Sequence, residues 1–124
     1  MKSKSTPKLN MLNRSIAVIK PKQPFLVWIH SIPDLKLDDL TLEEIRSGDS
    51  TAFLLPECDT LEEAQAYVDK IHKTIFQVEL EGWWTDPADW PQKMTIKMFH
   101  EWFDIELNSM LIDTVNEDYL VMEY

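Results

Sequence analysis

The sequence has very few glycine and cysteine residues. Only two of its 124 residues are glycine, so glycine-rich phosphate-binding loops and long flexible linkers are not expected. The single cysteine, Cys58, excludes an internal disulfide and a zinc site built from several cysteines. Because a lone thiol suits a reducing compartment, we predict a cytoplasmic location.

Long hydrophobic runs are also absent. The longest purely apolar runs are residues 25–29 and 52–55, whereas a membrane-spanning helix needs roughly 20 apolar residues. The first residues include lysines but lack the apolar segment of a signal peptide. We therefore predict no membrane association.

Acidic side chains are missing from the beginning of the chain. Residues 1–22 carry six basic side chains and no acid, and the first acid is Asp34. The remaining 102 residues carry six basic and 22 acidic side chains, a net charge of −16. Such a surface repels nucleic-acid phosphates and favours a basic protein or peptide as partner, although acidic surfaces also simply keep proteins soluble.

The length and the hydrophobic content of 44% are typical of one domain with a sizeable core. Residues 1–13 are polar and basic, and we interpret them as a flexible tail. Residues 14–118 form the predicted domain, and residues 119–124 form a second tail at the other end of the chain.

Short runs of β-branched and apolar residues predict three strands, at residues 15–20, 50–55 and 105–115. Proline and capping signals predict helices between them. A proline opens residues 25–32, and a capping box, Thr41 with Glu44, predicts a helix within residues 35–47.

The clearest helical pattern follows Thr60, which forms a second capping box with Glu63. The apolar residues of this segment repeat at spacings of three and four and form one stripe: Leu61, Ala64, Val68, Ile71, Ile75 and Val78. A single continuous helix ending near Gly82 is therefore expected. A short helical turn after Asp86 and a helix from Thr95 to Phe103 complete the pattern.

The predicted order of elements is β-α-α-β-α-α-β, with four to five helices. Strands separated by helices favour parallel pairing through crossover connections. We therefore expect an α/β fold with a three-stranded, mostly parallel sheet. An α+β fold in which the third strand is antiparallel is the alternative.

Several segments resemble a family of small bacterial proteins with no assigned activity. They are EGWWTDP at 81–87, WPQ at 90–92 and MFHEWFDIE at 98–106, with further likeness at 19–25 and 55–57. The resemblance covers about residues 14–115 of the chain, and tryptophan makes it distinctive because it is a rare residue. It implies a bacterial, cytoplasmic, single-domain protein and supplies no catalytic residue.

A ligand site is predicted where the strands of a parallel sheet would end together. Lys20 and Lys22 follow the first strand, and Glu57, Cys58 and Asp59 follow the second. In parallel sheets this rim is where ligands bind, so the residues could hold an anion or a metal ion. The alternative is that they are ordinary loop residues.

Tryptophan is concentrated in one part of the chain. Four of the five tryptophans, Trp83, Trp84, Trp90 and Trp102, fall within 20 residues of one another, and Asp86 lies among them. Large aromatic residues dominate protein interfaces, but they also fill the cores of small domains. If exposed, this segment would form an aromatic surface with an acidic rim.

Catalytic motifs are not found. There is no nucleophile elbow, phosphate-binding loop or dinucleotide fingerprint, and the HEWFD segment at 100–104 lacks the second histidine of a zinc motif. We predict no cofactor and no metal. The leading hypothesis is a non-enzymatic interaction or self-associating module that uses the tryptophan-rich surface. The alternative is a small enzyme or ligand-binding domain that uses the rim.

Overall fold

A computed structural model describes residues 6–124 of the chain, so the start of the predicted basic tail lies outside the described residues. The strands are β1 (Asn10–Met11), β2 (Arg14–Pro21), β3 (Thr51–Pro56), β4 (Phe103–Asn108) and β5 (Ile112–Asp113). The α-helices are α1 (Gln23–His30), α2 (Leu42–Ser47), α3 (Leu61–Lys70), α4 (His72–Glu81) and α5 (Ile96–Trp102). Two 3-10 turns cover Pro33–Leu35 and Pro87–Asp89.

The main sheet has three strands in the order β3-β2-β4, and both outer strands are antiparallel to β2. The prediction of a mostly parallel sheet is therefore wrong, and the fold is α+β. A second, two-stranded sheet pairs β1 with β5, also antiparallel.

The connection between β2 and β3 explains the antiparallel direction. It contains two short helices, α1 and α2, which contact each other. A helix pair returns the chain to the end of the sheet that it left, so Ile19 near the end of β2 pairs with Thr51 at the start of β3. A single crossover helix would have carried the chain to the opposite end, as parallel pairing requires.

The sheet buries only one of its faces. Alternate residues of β2, including Ala17 and Ile19, are fully buried and join one core that contains residues of all five helices. The side chains between them, Ile16 and Val18, point to the other face and do not belong to this core. Period-two alternation along a strand produces this division because successive side chains point to opposite faces.

Helix starts follow the predicted capping chemistry. The Thr41 hydroxyl accepts a hydrogen bond from the backbone N–H of Glu44 at 3.2 Å, and the Glu44 carboxylate accepts one from the Thr41 N–H at 2.9 Å. Thr60 and Thr95 likewise accept from the third residue of α3 and α5. The hydroxyl caps are confirmed because they depend on neighbours three residues apart and not on the tertiary fold. The carboxylate bond that completes a capping box is present at Thr41 but not at Thr60, so the second predicted box is only half formed.

The predicted long helix is two helices, α3 and α4, separated at Ile71. The backbone of Ile71 leaves the helical region, with φ −104° and ψ 18°. His72 Nδ1 lies 2.6 Å from the carbonyl oxygen of Asp69, an atom that would accept a backbone bond in a continuous helix. The apolar stripe continues across the break, so its spacing alone could not reveal two helices.

Candidate functional site

The segment after α4 is organised by hydrogen bonds from tryptophan indoles. Trp84 Nε1 donates to Asp89 Oδ2 at 2.8 Å, and Trp90 Nε1 donates to the carbonyl oxygen of Trp84 at 2.8 Å. From α1, Trp28 Nε1 donates to the carbonyl oxygen of Asp89 at 2.9 Å. Asp86 caps the 3-10 turn by accepting from the backbone N–H of Ala88. The segment is thus held in a defined shape against α1.

An open aromatic groove lies between this segment and helices α1 and α5. We call it the tryptophan groove, and it is lined by Pro24, Val27, Trp28, Trp90, Pro91 and Trp102, with Gln23, Ser31 and Asp89 as its polar members. Its volume is about 620 Å³, within the range of ligand and peptide side-chain pockets. Val27 on its wall is 56% exposed, so the groove is accessible from solvent.

The walls of the groove rest on the aromatic core. The Trp102 ring packs 5.2 Å from that of Phe76 and 6.1 Å from that of Phe25. Phe25 also contacts the ring of Trp28, at a centroid distance of 5.4 Å. Phe25 and Phe76 are fully buried, so two walls of the groove are supported by rigid side chains.

The charge beside the groove is negative. Asp89 is the charged residue that lines it, and its Oδ2 atom already accepts the Trp84 indole bond. The nearby cation Lys22 is engaged elsewhere, since its Nζ donates to the carbonyl oxygen of His100 at 2.8 Å and lies 4.0 Å from Asp104. A basic ligand would therefore meet the carboxylate of Asp89 at the groove, while the Lys22 ammonium group is directed to other partners.

The structure distributes the predicted interaction residues over different roles. Trp90 and Trp102 line the groove, while Trp84 and Asp86 stabilise the segment that forms one of its walls. Trp83 is partly buried against the core and does not line the groove. All four tryptophans of the cluster are partly exposed, so neither the core nor the interface alternative describes them alone.

Trp28 is the one tryptophan of the groove that is not among the residues predicted from the sequence. It lies in the apolar run interpreted as a core helix, and only 7% of its surface is exposed. The available signal was the spacing of Pro24, Val27, Trp28 and Ser31 at positions i, i+3, i+4 and i+7, which places the first three on one face of α1 and its C-cap Ser31 in line with them. That face forms the groove wall.

The structure does not assemble the predicted ligand rim. Because β2 and β3 are antiparallel, Lys20 and Lys22 lie at one end of the sheet and Glu57, Cys58 and Asp59 lie at the other. Strand β3 has six residues, so these two ends are roughly 20 Å apart. The convergence expected from a parallel sheet is thus absent.

The two predicted rim lysines take part in an ionic network on the open face of β2 and β4. Lys20 lies 3.8 Å from Glu106, and Arg46 lies 2.9 Å from Asp104, which Lys22 also approaches. Cys58 is partly buried, and its thiol lies 3.2 Å from the carbonyl oxygen of Pro56. Within residues 6–124, no group of three histidine, cysteine or carboxylate side chains could hold a metal ion.

Glu79 on α4 is the carboxylate with the most unusual environment. Burial raises its pKa from 4.5 to about 7, and the hydroxyl of Thr51 offsets this only in part. Its Oε2 atom is buried and has no hydrogen-bond partner among the described residues. A buried carboxylate with one unpartnered oxygen favours the neutral, protonated form.

Replacement of Asp89 by alanine tests the hydrogen bond that holds Trp84. Since a bond between a charged acceptor and a neutral donor at a partly exposed site is lost, we expect the free energy of unfolding to fall by about 1 kcal/mol. Urea denaturation measures the change, with Asp118→Ala in the exposed C-terminal segment as control. Equal stability of the two variants would show that the Trp84–Asp89 bond contributes nothing in solution.

Comparisons with known proteins identify no relative. No protein-family model, curated protein or solved structure matches the chain significantly. The resemblance to small bacterial proteins therefore stays a prediction. No helix within residues 6–124 is long and apolar enough to cross a membrane.

Proposed function

We propose that the chain is a non-enzymatic interaction module whose tryptophan groove binds an extended peptide that carries proline and arginine side chains. The observation that carries this proposal is the groove itself. Trp28 of α1 meets there Trp90 and Trp102, two members of the tryptophan cluster that lie 62 and 74 residues further along the chain, on an open surface.

The chemistry of the groove favours stacking over polar recognition. The indole N–H groups of Trp28 and Trp90 are used in internal hydrogen bonds, so neither is free to donate to a ligand. What remains for contact is ring carbon, which the partly exposed Trp90 offers more than Trp28, whose surface is only 7% exposed. Proline rings pack well against such surfaces, and an extended proline-rich segment loses little conformational entropy when it binds. Aromatic residues supported by a rigid core are also the usual hot spots of protein interfaces.

Charge favours a basic ligand. An arginine can stack on an indole face and at the same time approach the carboxylate of Asp89. The net charge of −10 of the whole chain attracts cationic partners at long range and opposes self-association through this surface. We also propose a cytoplasmic location, which suits the free, partly buried Cys58 thiol.

The alternative function, a small enzyme or ligand-binding domain at the strand rim, depended on residues that the antiparallel sheet separates. Lys20 and Lys22, which would have bound an anion, are paired with Glu106 and Asp104. The separation of these residues therefore favours the interaction module over this alternative.

A peptide titration tests the proposed function. The ligand is a nine-residue peptide of three proline–proline–arginine units, and calorimetry measures its affinity. We expect binding in the micromolar range, weakened about tenfold or more by Val27→Lys, which places a bulky cation on the groove wall. Because Val27 is exposed, this variant should fold normally.

The matched control is Val115→Lys, which makes the same change at an exposed valine outside the groove. It should bind the peptide as the wild type does. Absence of binding by the wild-type chain, or equal loss of affinity in both variants, would contradict the proposed function.

A further inference from the structure

Strand β3 forms an edge of the main sheet. It pairs with β2 on one side, and among the described residues no further backbone hydrogen bond reaches 52–55 from the other side. In an antiparallel ladder about half of the backbone N–H and C=O groups of an edge strand point outwards. The outer side of β3 therefore offers a row of unpaired donors and acceptors.

The two edges of this sheet differ in side-chain chemistry. Strand β4 carries Asp104 and Glu106, and such charged side chains protect an edge from pairing with other chains. Residues 51–56 of β3 carry no charge at all. Leu54 is 62% exposed, and with Ala52 and the neighbouring Val18 of β2 it continues an apolar strip on the open face of the sheet.

Acidic residues stand at both ends of β3. Asp49 precedes the strand, and residues 57–63 after it contain four carboxylates and no base. Arg14, which pairs with Pro56, is the cation of β2 at that end. The cations at the Asp49 end, Lys20 and Arg46, are paired with Glu106 and Asp104 of β4, so both ends together retain an excess of negative charge. The edge is thus an uncharged segment between two acidic ends.

This charge pattern discriminates between possible occupants. A second copy that paired antiparallel about Phe53 would place Asp49 opposite Glu57 of the other copy, so like charges would meet at both ends. An extended segment with basic residues at its ends would instead meet opposite charges at both ends. Charge complementarity therefore selects a basic-ended strand over self-pairing.

We propose that the β3 edge binds, by strand addition, an extended segment of another protein with an uncharged, alternating apolar centre and basic ends. The added strand would pair with the free backbone groups of β3 and extend the apolar strip formed by Ala52 and Leu54. This surface is separate from the tryptophan groove, so the two proposals succeed or fail independently.

The probe is a nine-residue peptide with five alternating valine and threonine residues at its centre and two arginines at each end. Fluorescence anisotropy measures its affinity, and hydrogen exchange locates it. We expect slower exchange of the amides of 51–55 when the peptide binds. Raising the salt concentration from about 50 to 500 mM should weaken binding about fivefold or more, because the end charges are exposed.

Two substitutions test the contributions of the β3 edge and of its acidic ends to peptide binding. Leu54→Lys places a charge on the exposed strip and should weaken binding about fivefold, and Asp49→Lys should weaken it about two- to fivefold by repelling the arginines. Asp118→Lys, in the exposed C-terminal segment, is the matched control and should have no comparable effect.

A peptide that is N-methylated at alternate central amides provides a test on the wild-type protein, since it keeps its charges but cannot pair as a strand. We expect it not to bind. Absence of binding of the parent peptide, equal binding of the methylated one, or protection of β3 by self-association that strengthens with salt would each overturn the proposal.

Discussion

Replacing Glu79 by glutamine is expected to stabilise the protein at about pH 8 by about 2–3 kcal/mol while changing its stability little near pH 4.5. The reason is that burial raises the pKa of Glu79 from 4.5 to about 7 in the folded state. In the unfolded chain the carboxyl has its ordinary pKa, so between these two values the folded protein holds more protons than the unfolded one.

The sign follows from proton linkage. Because the folded state binds the extra proton, the free energy of unfolding falls as the pH rises from 4.5 through about 7, and it levels off above that. A difference of about 2.5 pKa units corresponds to at most about 3 kcal/mol. Glutamine resembles the protonated carboxyl and cannot ionise, so the variant loses this part of the pH dependence.

Urea denaturation at several pH values measures the effect, because urea does not screen charge. The difference between Glu79→Gln and the wild type isolates this residue from other groups that titrate in the same range. Glu123→Gln, at an exposed carboxylate of the C-terminal segment, is the matched control and should show a flat difference. A difference for Glu79→Gln that does not change with pH would contradict the account of its burial.

Replacing Phe76 by alanine is expected to lower the free energy of unfolding by about 3–5 kcal/mol. Phe76 is fully buried, and its ring packs 5.1 Å from that of Phe103 and 5.2 Å from that of Trp102. The loss combines the transfer free energy of the ring with the cavity that remains among these neighbours. Much of the stability of a domain of this size would be lost.

The Phe76→Ala substitution should also lower the peptide affinity of the tryptophan groove, although Phe76 does not line it. Trp102 forms a groove wall and rests on the Phe76 ring, so a cavity behind Trp102 leaves that wall less firmly held. We expect weaker binding of the proline–proline–arginine peptide at a temperature where the variant is still folded. Circular dichroism verifies that the Phe76→Ala variant is folded at that temperature.

Phe53→Ala is the control for this prediction. Phe53 on β3 is only partly buried and packs against the edge of the core, away from the groove. The Phe53→Ala variant should lose less than half as much free energy of unfolding as Phe76→Ala, and its groove should bind the peptide with unchanged affinity. Equal costs for the two variants would contradict the assignment of Phe76 to the centre of the core.

Local structure could be predicted from the sequence because its causes are local. The capping box of Thr41 with Glu44 requires only neighbours three residues apart. The β-branched run at residues 15–20 likewise predicts a strand from the local sequence alone, and β2 spans Arg14–Pro21.

The direction of the strands could not be predicted in the same way. Helices between strands are compatible with parallel and antiparallel sheets, and the outcome depends on whether the helices of a connection fold back on each other. Contacts between α1 and α2 decide this, and no spacing in the sequence records them. The break at Ile71 was hidden for a related reason, since the apolar stripe continues through it.

The site was predicted only in part. Trp90 and Trp102 were predicted as interaction residues because tryptophan is rare and clustered in this sequence, and both line the groove. Trp28 was missed because its hydrogen-bond partner, Asp89, is 61 residues away in the sequence. The predicted ligand rim depended on parallel pairing of β2 and β3. Because these strands are antiparallel, the two groups of rim residues lie at opposite ends of the sheet.

The central claim is that the tryptophan groove is a binding surface, and an NMR titration with the proline–proline–arginine peptide tests it most directly. Each of the five tryptophans has an indole N–H signal that reports on its own surroundings. We predict that the signals of Trp28, Trp90 and Trp102 shift with one common affinity, while that of Trp83 stays in place. Saturable binding that leaves the three groove signals unmoved, or no binding at all, would contradict the claim.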